Sequence, residues 1–442
     1  MLIYCEGELI VEDYEKQIEE ITRYFRNNEK KKEDFKLGVE LEHFIIDKNT
    51  LKTVSYYGDN GVEETLKDLL FKGWEGMYEG NNLLGLINKN NTTVTLEPGS
   101  QIELSIEPLK EIKDIEKEYF DFLYDIIPIL EKKNQNIIAV GYQPNTKISD
   151  IRLIPKQRYD FMYEYFKTKG SHAHNMMKGT ASLQVSVDYK SEEDYIKKTR
   201  IANALTPVIY DMFDNCLYFE GGIWNKFNLR TYIWENCDKD RCGTVEGVFD
   251  EDFGYAKYAE YILNRPIIFT EDKKGDHFTG EKLFKEMFDP NHYSIEELEH
   301  ALTMFFPDVR TKKYIEIRIM DGVPYPLNFS AIALWKGLLY NEDSLNFLYD
   351  HIKNMKAEDI KKGKKEIIEK GLGGIYLGRK VNDLEKWLLD ISKKGLNGKE
   401  LDYILPLEEM VREEKTPRKI TEGNMRLGKR ESLNWCVINN II

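Results

Sequence analysis

The 442-residue sequence is short of several things, and each shortage excludes something. No run approaches the ~18 apolar residues of a membrane span, so no membrane partner is expected. No G-x-x-x-x-G-K-[ST] motif occurs, so phosphate handling cannot rest on a P-loop. The glycine-rich "GLGGIYLG" at 371–378 has the wrong spacing and reads as a loop. Cysteine is scarce: Cys5, Cys216, Cys237, Cys242 and Cys436. An odd count without framework spacing points to a reduced, intracellular protein. Cys237 and Cys242 lack a second Cys/His pair at zinc-site spacing, so no structural zinc is expected. Basic charge is also in deficit, with a net charge of −14. That argues against nucleic acid, which wants a basic face, but not against a small anionic substrate in a cleft. The N-terminus "MLIYCEGELIVEDYEK" has no basic region leading into an apolar core, as a secretory signal would. The expectation is a cytoplasmic protein.

What is present is a mixture of two periods. Residues 11–32, 61–73 and 110–133 show helical spacing. Ser191 followed by Asp194 opens a long predicted helix, with Pro207 expected to bend it or to mark a boundary. Residues 220–260 are aromatic and glycine-rich and read as functional loops. Beyond about 340 the chain is helical, and its lysine run reads as a solvated face. The whole predicts an α+β fold, an antiparallel sheet with helices packed on it. Residues 1–340 form the expected main domain, and 341–442 a helical C-terminal region packed on it.

Four segments alternate with period two, so residues i and i+2 share a face. Leu37, Val39 and Leu41 oppose Glu40 and Glu42. Ile102, Leu104 and Ile106 oppose Gln101, Glu103 and Ser105. Leu183, Val185 and Val187 oppose Ser182, Gln184 and Ser186. Ile315, Ile317 and Ile319 oppose Tyr314, Glu316 and Arg318. One reading is a half-exposed sheet with a wet outer face. The other is a concave carboxylate wall that holds hard divalent cations. "LEPGSQIELS" favours the second, because a turn or bulge at Pro98–Gly99 can bring Glu97 and Glu103 to one place. His43 falls on the opposite face from the glutamates and reads as a packed or surface residue rather than a ligand. His172 and His174 read as loop residues.

The ordered segments "GVELEHF", "TLEPGSQIELS", "PKQRYDFMYEYF", "GTASLQVSVDY", "RTYIWENCDKDRCGTVEGVFDEDFGYAKYAEYIL" and "KKYIEIRIMDG" resemble glutamate–cysteine ligase of the plant and proteobacterial type. The likeness runs from about residue 35 to 345 and more weakly through "TPRKITEGNM". It implies a glutamine synthetase-like fold, a curved antiparallel funnel flanked by helices. It implies ATP- and Mg²⁺-dependent ligation of L-glutamate to L-cysteine through a γ-glutamyl phosphate, the first step of glutathione or related thiol biosynthesis. The partners are then small molecules, and the protein a monomer or homodimer. Residue by residue, it implies Glu40, Glu42, Glu97, Glu103 and Glu316 as metal ligands. Gln184 stands where related enzymes can place a histidine ligand. Arg318 is implied as the catalytic cation, its alternative being an ion pair with a neighbouring glutamate. Arg158, Thr180, Arg230 and Trp234 are implied for glutamate, although Trp234 reads equally well as core. Arg241 and Lys313 are implied for nucleotide phosphates.

The chain departs from the family at Ser100, where a second glycine is usual. It does not reproduce the plant regulatory cysteines. Two rival readings are a related ligase with another amine acceptor and a non-catalytic homologue that keeps the fold.

Overall fold

The structure, a computed structural model, describes residues 6–272 and 275–441. Nine strands make one antiparallel sheet: β1 (Leu37–Asp47), β2 (Glu75–Glu79), β3 (Asn82–Ile87), β4 (Thr93–Leu96), β5 (Ile102–Leu109), β6 (Gln135–Ile138), β7 (Ser182–Val187), β8 (Val309–Thr311) and β9 (Ile315–Asp321). Their order is β8-β9-β7-β1-β5-β4-β3-β2, with β6 on the far end of β1. The expected α+β class is the observed one. The helical periods fall on α1 (Glu6–Asn27), α2 (Val62–Leu70), α3 (Ile112–Lys132) and α6 (Glu192–Met212). Ser191 caps α6 by accepting from the Asp194 N–H at 3.3 Å, as its position predicts. Pro207 lies inside α6, which runs on to Met212, so it marks no boundary.

The two strand faces have separate fates. Val39, Leu41, Leu104, Val185 and Ile317 join the main hydrophobic core. The polar face is not a wet one: Ser182, Gln184, Ser186 and Glu316 are buried. It is roofed by α4 (Gln157–Phe166), α5 (Ala173–Gly179) and α7 (Leu229–Glu235), whose Met162, Met176 and Trp234 line a cleft over it. Helices α10 (Leu327–Leu339), α11 (Glu342–Ile352), α12 (Ala357–Lys370), α13 (Val381–Gly395) and α14 (Glu400–Arg412) follow. Helix α10 packs on α13 and α14, and α6 on α11, α12 and α13.

Two expectations are corrected. Residues 220–260 are not only loops, because they include α7 and α8 (Tyr255–Leu263). The aromatics there are packing residues: Tyr255 and Tyr258 are fully buried. The lysine run is not wholly solvated either, since Lys364 on α12 is only 3% exposed.

The Pro-Gly break is a three-residue hairpin loop between β4 and β5. The Ser100 N–H donates to the Glu97 carbonyl at 2.9 Å, and the Glu97 N–H to the Gln101 carbonyl at 2.9 Å. Proline leads the turn and the third loop residue takes the left-handed conformation, Ser100 at φ 72°. Gly99 cannot carry a side chain, because a Cβ there would lie 2.5 Å from the Lys178 carbonyl oxygen. Ser100 thus occupies a position that suits glycine. The left-handed conformation is strained for any residue with a Cβ, so Ser100→Gly should be more stable than Ser100→Ala by about 1 kcal/mol in urea unfolding. Equal stability of the two variants would show that the loop carries no such strain.

Candidate active site

The cleft is built from the polar faces of β1, β5, β7 and β9. Antiparallel register sets Glu42 opposite Glu103 and Glu40 opposite both Ser105 and Gln184. The hairpin loop adds Glu97. Gln101 ties that loop down: its Oε1 accepts the Gly99 N–H at 2.8 Å, and its Nε2 donates to the Thr180 carbonyl at 2.9 Å. Glu42 is held at both oxygens, accepting from the Ser182 hydroxyl at 2.6 Å and the Ser182 N–H at 2.8 Å. Gln184 bridges the two sides. Its Nε2 donates to Glu42 at 2.9 Å, and its Oε1 accepts from Arg318 at 2.6 Å.

Glu316 is the hub of a cationic group. Arg310 reaches its Oε2 at 2.7 Å and Arg318 at 2.8 Å, while Lys312 reaches Oε1 at 3.0 Å. Arg318 is thus in an ion pair with Glu316 and also lines the cleft. Glu316 does not present a free carboxylate, and a metal ion there would compete with three side chains.

The electrostatics divide the acids. Burial, then the charges of Glu103 and Glu316, push Glu40 up to about 8. Burial and then Glu42 push Glu97 up to about 7. Burial, followed by Glu97 and Glu42, pushes Glu103 up to about 8. Glu316 goes the other way. Burial works against its charge, but Arg310, Lys312 and Arg318 outweigh that and hold it well below the ordinary value. The cleft acids interact as two overlapping sets, Glu40 with Glu103 and Glu42 with Glu97 and Glu103.

Such a set suits Mg²⁺: the donors are hard oxygens, crowded and partly desolvated, with protons as their only alternative to repulsion. The cleft glutamates stand apart, however. Among the described residues the group close enough to share one ion is Asp214, Cys216 and Asp321. That trio is a hydrogen-bonded cluster, with the Cys216 thiol donating to Asp321 at 3.1 Å. Gly141 closes over it, since a Cβ there would lie 2.2 Å from Asp321 Oδ2.

Of the residues expected for glutamate, Thr180, Arg230 and Trp234 line the cleft beside Glu42, Glu97 and Arg318. The Thr180 hydroxyl already donates to the Met176 carbonyl at 2.7 Å, so it is left as an acceptor. Arg230 donates to the carbonyls of Ile319 and Arg318 at 3.1 and 2.9 Å. Arg158 lies close enough to Glu97 to draw its pKa down against burial. The nucleotide expectations are corrected. Arg241 is fully buried in an ion pair with Asp238 at 2.8 Å and bonds the Pro266 carbonyl. Lys313 turns away to Glu299 on α9 (Ile295–Leu302), at 2.7 Å. Its neighbour Lys312, in the turn between β8 and β9, reaches Glu316 instead, and strand alternation gives no signal for a turn residue. Arg310 carried no such signal and arrives through the β8–β9 pairing with Glu316. His43 is buried beside the Tyr119 hydroxyl, 3.4 Å away, as its face predicts. His174 stacks on Tyr163, and the four cysteines among the described residues are free.

An antiparallel sheet that encloses carboxylates around a fixed guanidinium defines the carboxylate–amine ligases of glutamine synthetase-like fold. Residues 36–422 match glutamate-cysteine ligase family 2, and the chain belongs to that family. It is a ligase that acts on small-molecule substrates. Among its relatives are the chloroplastic glutamate–cysteine ligase B of Oryza sativa subsp. japonica, 32% identical over 90% of this chain and 82% of that protein. The chloroplastic enzyme of Arabidopsis thaliana is 31% identical over 90% and 78%. The glutamate–cysteine ligase of Francisella tularensis, solved in complex with AMP, shares the fold at a TM-score of 0.57 and 13% identity, covering 91% of this chain and 87% of that one. The cytoplasmic expectation does not stand, because the curated relatives are chloroplastic enzymes.

The three raised glutamates bind a proton more tightly folded than unfolded. Their stabilising contribution is full below the ordinary value of 4.5 and is lost as pH rises through about 7 to 8. The metal-free protein should therefore lose melting temperature on that side. Added Mg²⁺ should raise it more at about pH 8.5 than at about pH 6, because the ion competes with protons. Equal Mg²⁺ effects at the two pH values would contradict the assignment.

Proposed function

We propose that this ligase joins the γ-carboxylate of L-glutamate to the amine of L-cysteine, with cleavage of ATP to ADP and phosphate. It acts as a monomer or homodimer, and the helices after residue 340 serve the same catalytic body. The observation that carries the reading is the enclosed set of Glu40, Glu42, Glu97 and Glu103 facing Arg318.

A carboxylate is a poor acyl donor until it has a leaving group. In the first step a γ-carboxylate oxygen of glutamate attacks the γ-phosphorus of ATP, and ADP departs. In the second the amine of cysteine attacks the acyl carbon, the bond from that carbon to the phosphate oxygen breaks, and the departing phosphate takes up the proton that the amine loses. Bound Mg²⁺ would supply positive charge to offset that of the phosphates. Glu40, Glu42, Glu97 and Glu103 would hold it, while Gln184 and Glu316, bonded to Arg318 and its neighbours, lie beside them on the β7–β9 side. Arg318 stabilises the transferring phosphoryl group, and its bonds to Glu316 and Gln184 aim it beforehand. Arg158 and Arg230 meet the carboxylate of glutamate. Thr180 accepts from its ammonium, and Trp234 closes the wall.

ADP release with glutamate plus cysteine should exceed that with glutamate plus other amines. Equal or lower turnover with cysteine would overturn the acceptor assignment. Arg318→Met should lower kcat by about 10²- to 10³-fold while the protein stays folded. An unchanged kcat would remove Arg318 from the chemistry.

A further inference from the structure

Helix α7 is seven residues long, too short to hold itself in water. It nevertheless carries Arg230 and Trp234 to the cleft, so something else must fix it. Its N-terminus has no side-chain cap, and Asn228, the residue before it, sits in the left-handed region at φ 52°. Asp214 accepts the Asn228 N–H at 2.9 Å and Asp211 its side-chain amide at 2.7 Å, and further ties come from α12. The Phe227 N–H donates to the Ile368 carbonyl at 3.0 Å, and the Asn228 side chain to the Ile367 carbonyl at 3.2 Å. At the other end of α7, Lys364 of α12 bonds Glu235 at 2.7 Å. Lys364 also pairs with Asp308, again at 2.7 Å. The Asp308 carbonyl accepts the Arg318 N–H at 3.0 Å.

We infer that Lys364 is a positioning residue for the ligase reaction: it bridges Glu235 and Asp308 and so fixes the glutamate-side helix α7 against the strand that carries Arg318. The inference rests on the proposed function for its choice of substrate. A buried lysine with two carboxylate partners is a poor source of net stability, since desolvation offsets most of the attraction. Its distinctive product is geometry. Helix α12 holds α7 at both ends, and Lys364 is the one of these ties made by a side-chain charge. Burial works against that charge, yet Asp308 and Glu235 keep the ammonium above the ordinary lysine value.

Glu235 is 32% exposed, so Glu235→Gln should fold and should break only the tie to α7. It should raise KM for glutamate about tenfold, with kcat and KM for ATP within about twofold and an unchanged melting temperature. Lys364→Met should do the same or more, and Lys364→Arg should recover most of the loss. Hydrogen exchange of residues 228–237 should quicken in Glu235→Gln and Lys364→Met, and this readout needs no turnover. A wild type that releases no ADP with glutamate and cysteine would sink the assigned reaction, while faster exchange at α7 would still uphold the positioning role. Unchanged exchange at α7, or equal rises in both KM values, would overturn the role of Lys364 whatever the substrate.

Discussion

Repulsion between enclosed carboxylates is the constraint on which the rest of this structure depends. Glu42 and Glu103 face each other across a strand pair, where like charges destabilise a sheet. Water cannot screen them well, because the polar face is roofed. Three remedies are visible. Glu42 is satisfied by the hydroxyl and N–H of Ser182 and by Gln184. Glu316 is neutralised by three cations. Glu40, Glu97 and Glu103 receive neither remedy in full and hold protons more tightly instead. A site left with that residual repulsion is one that a hard cation relieves.

Much of this was legible in the sequence because a strand has a period of exactly two residues' worth of faces, and four segments obey it. The faces of Glu40, Glu42, Glu103 and Arg318 needed nothing more than parity. The loop at Glu97 was legible as a break, though not the conformation of Ser100. What parity cannot supply is the partner of a residue. Arg241 and Lys313 have the right charge, but Asp238 and Glu299 occupy them. Arg310 has no period of its own and enters only through β8–β9 pairing. Helices α7 and α8 were hidden because α7 is too short for a period to register and α8 is aromatic on its buried side.

Lys364 shows the same limit from the opposite direction. In the sequence it is one of several lysines in a polar helix, and composition assigns it to solvent. Its burial is decided by the carboxylates of Glu235 and Asp308, which come from 129 residues away in one case and from the turn before β8 in the other. A charged run is a statement about most of a helix face, not about each member of it.

The networks around Glu316 and Lys364 meet at one residue. The Arg318 side chain is held by Glu316 and Gln184, its N–H by the Asp308 carbonyl, and its carbonyl by Arg230. Each tie comes from a different segment. A guanidinium on a flexible side chain loses entropy when it must be aimed at a reacting group. Here much of that ordering is complete before any substrate arrives, because backbone and side chain are constrained independently. Removing one tie leaves three, so the orientation of Arg318 should degrade in steps rather than collapse. Helix α7 has less redundancy: it is joined to β9 by Arg230 directly and by Lys364 through Asp308. Arg318 is thus more firmly held than the cleft wall that α7 contributes.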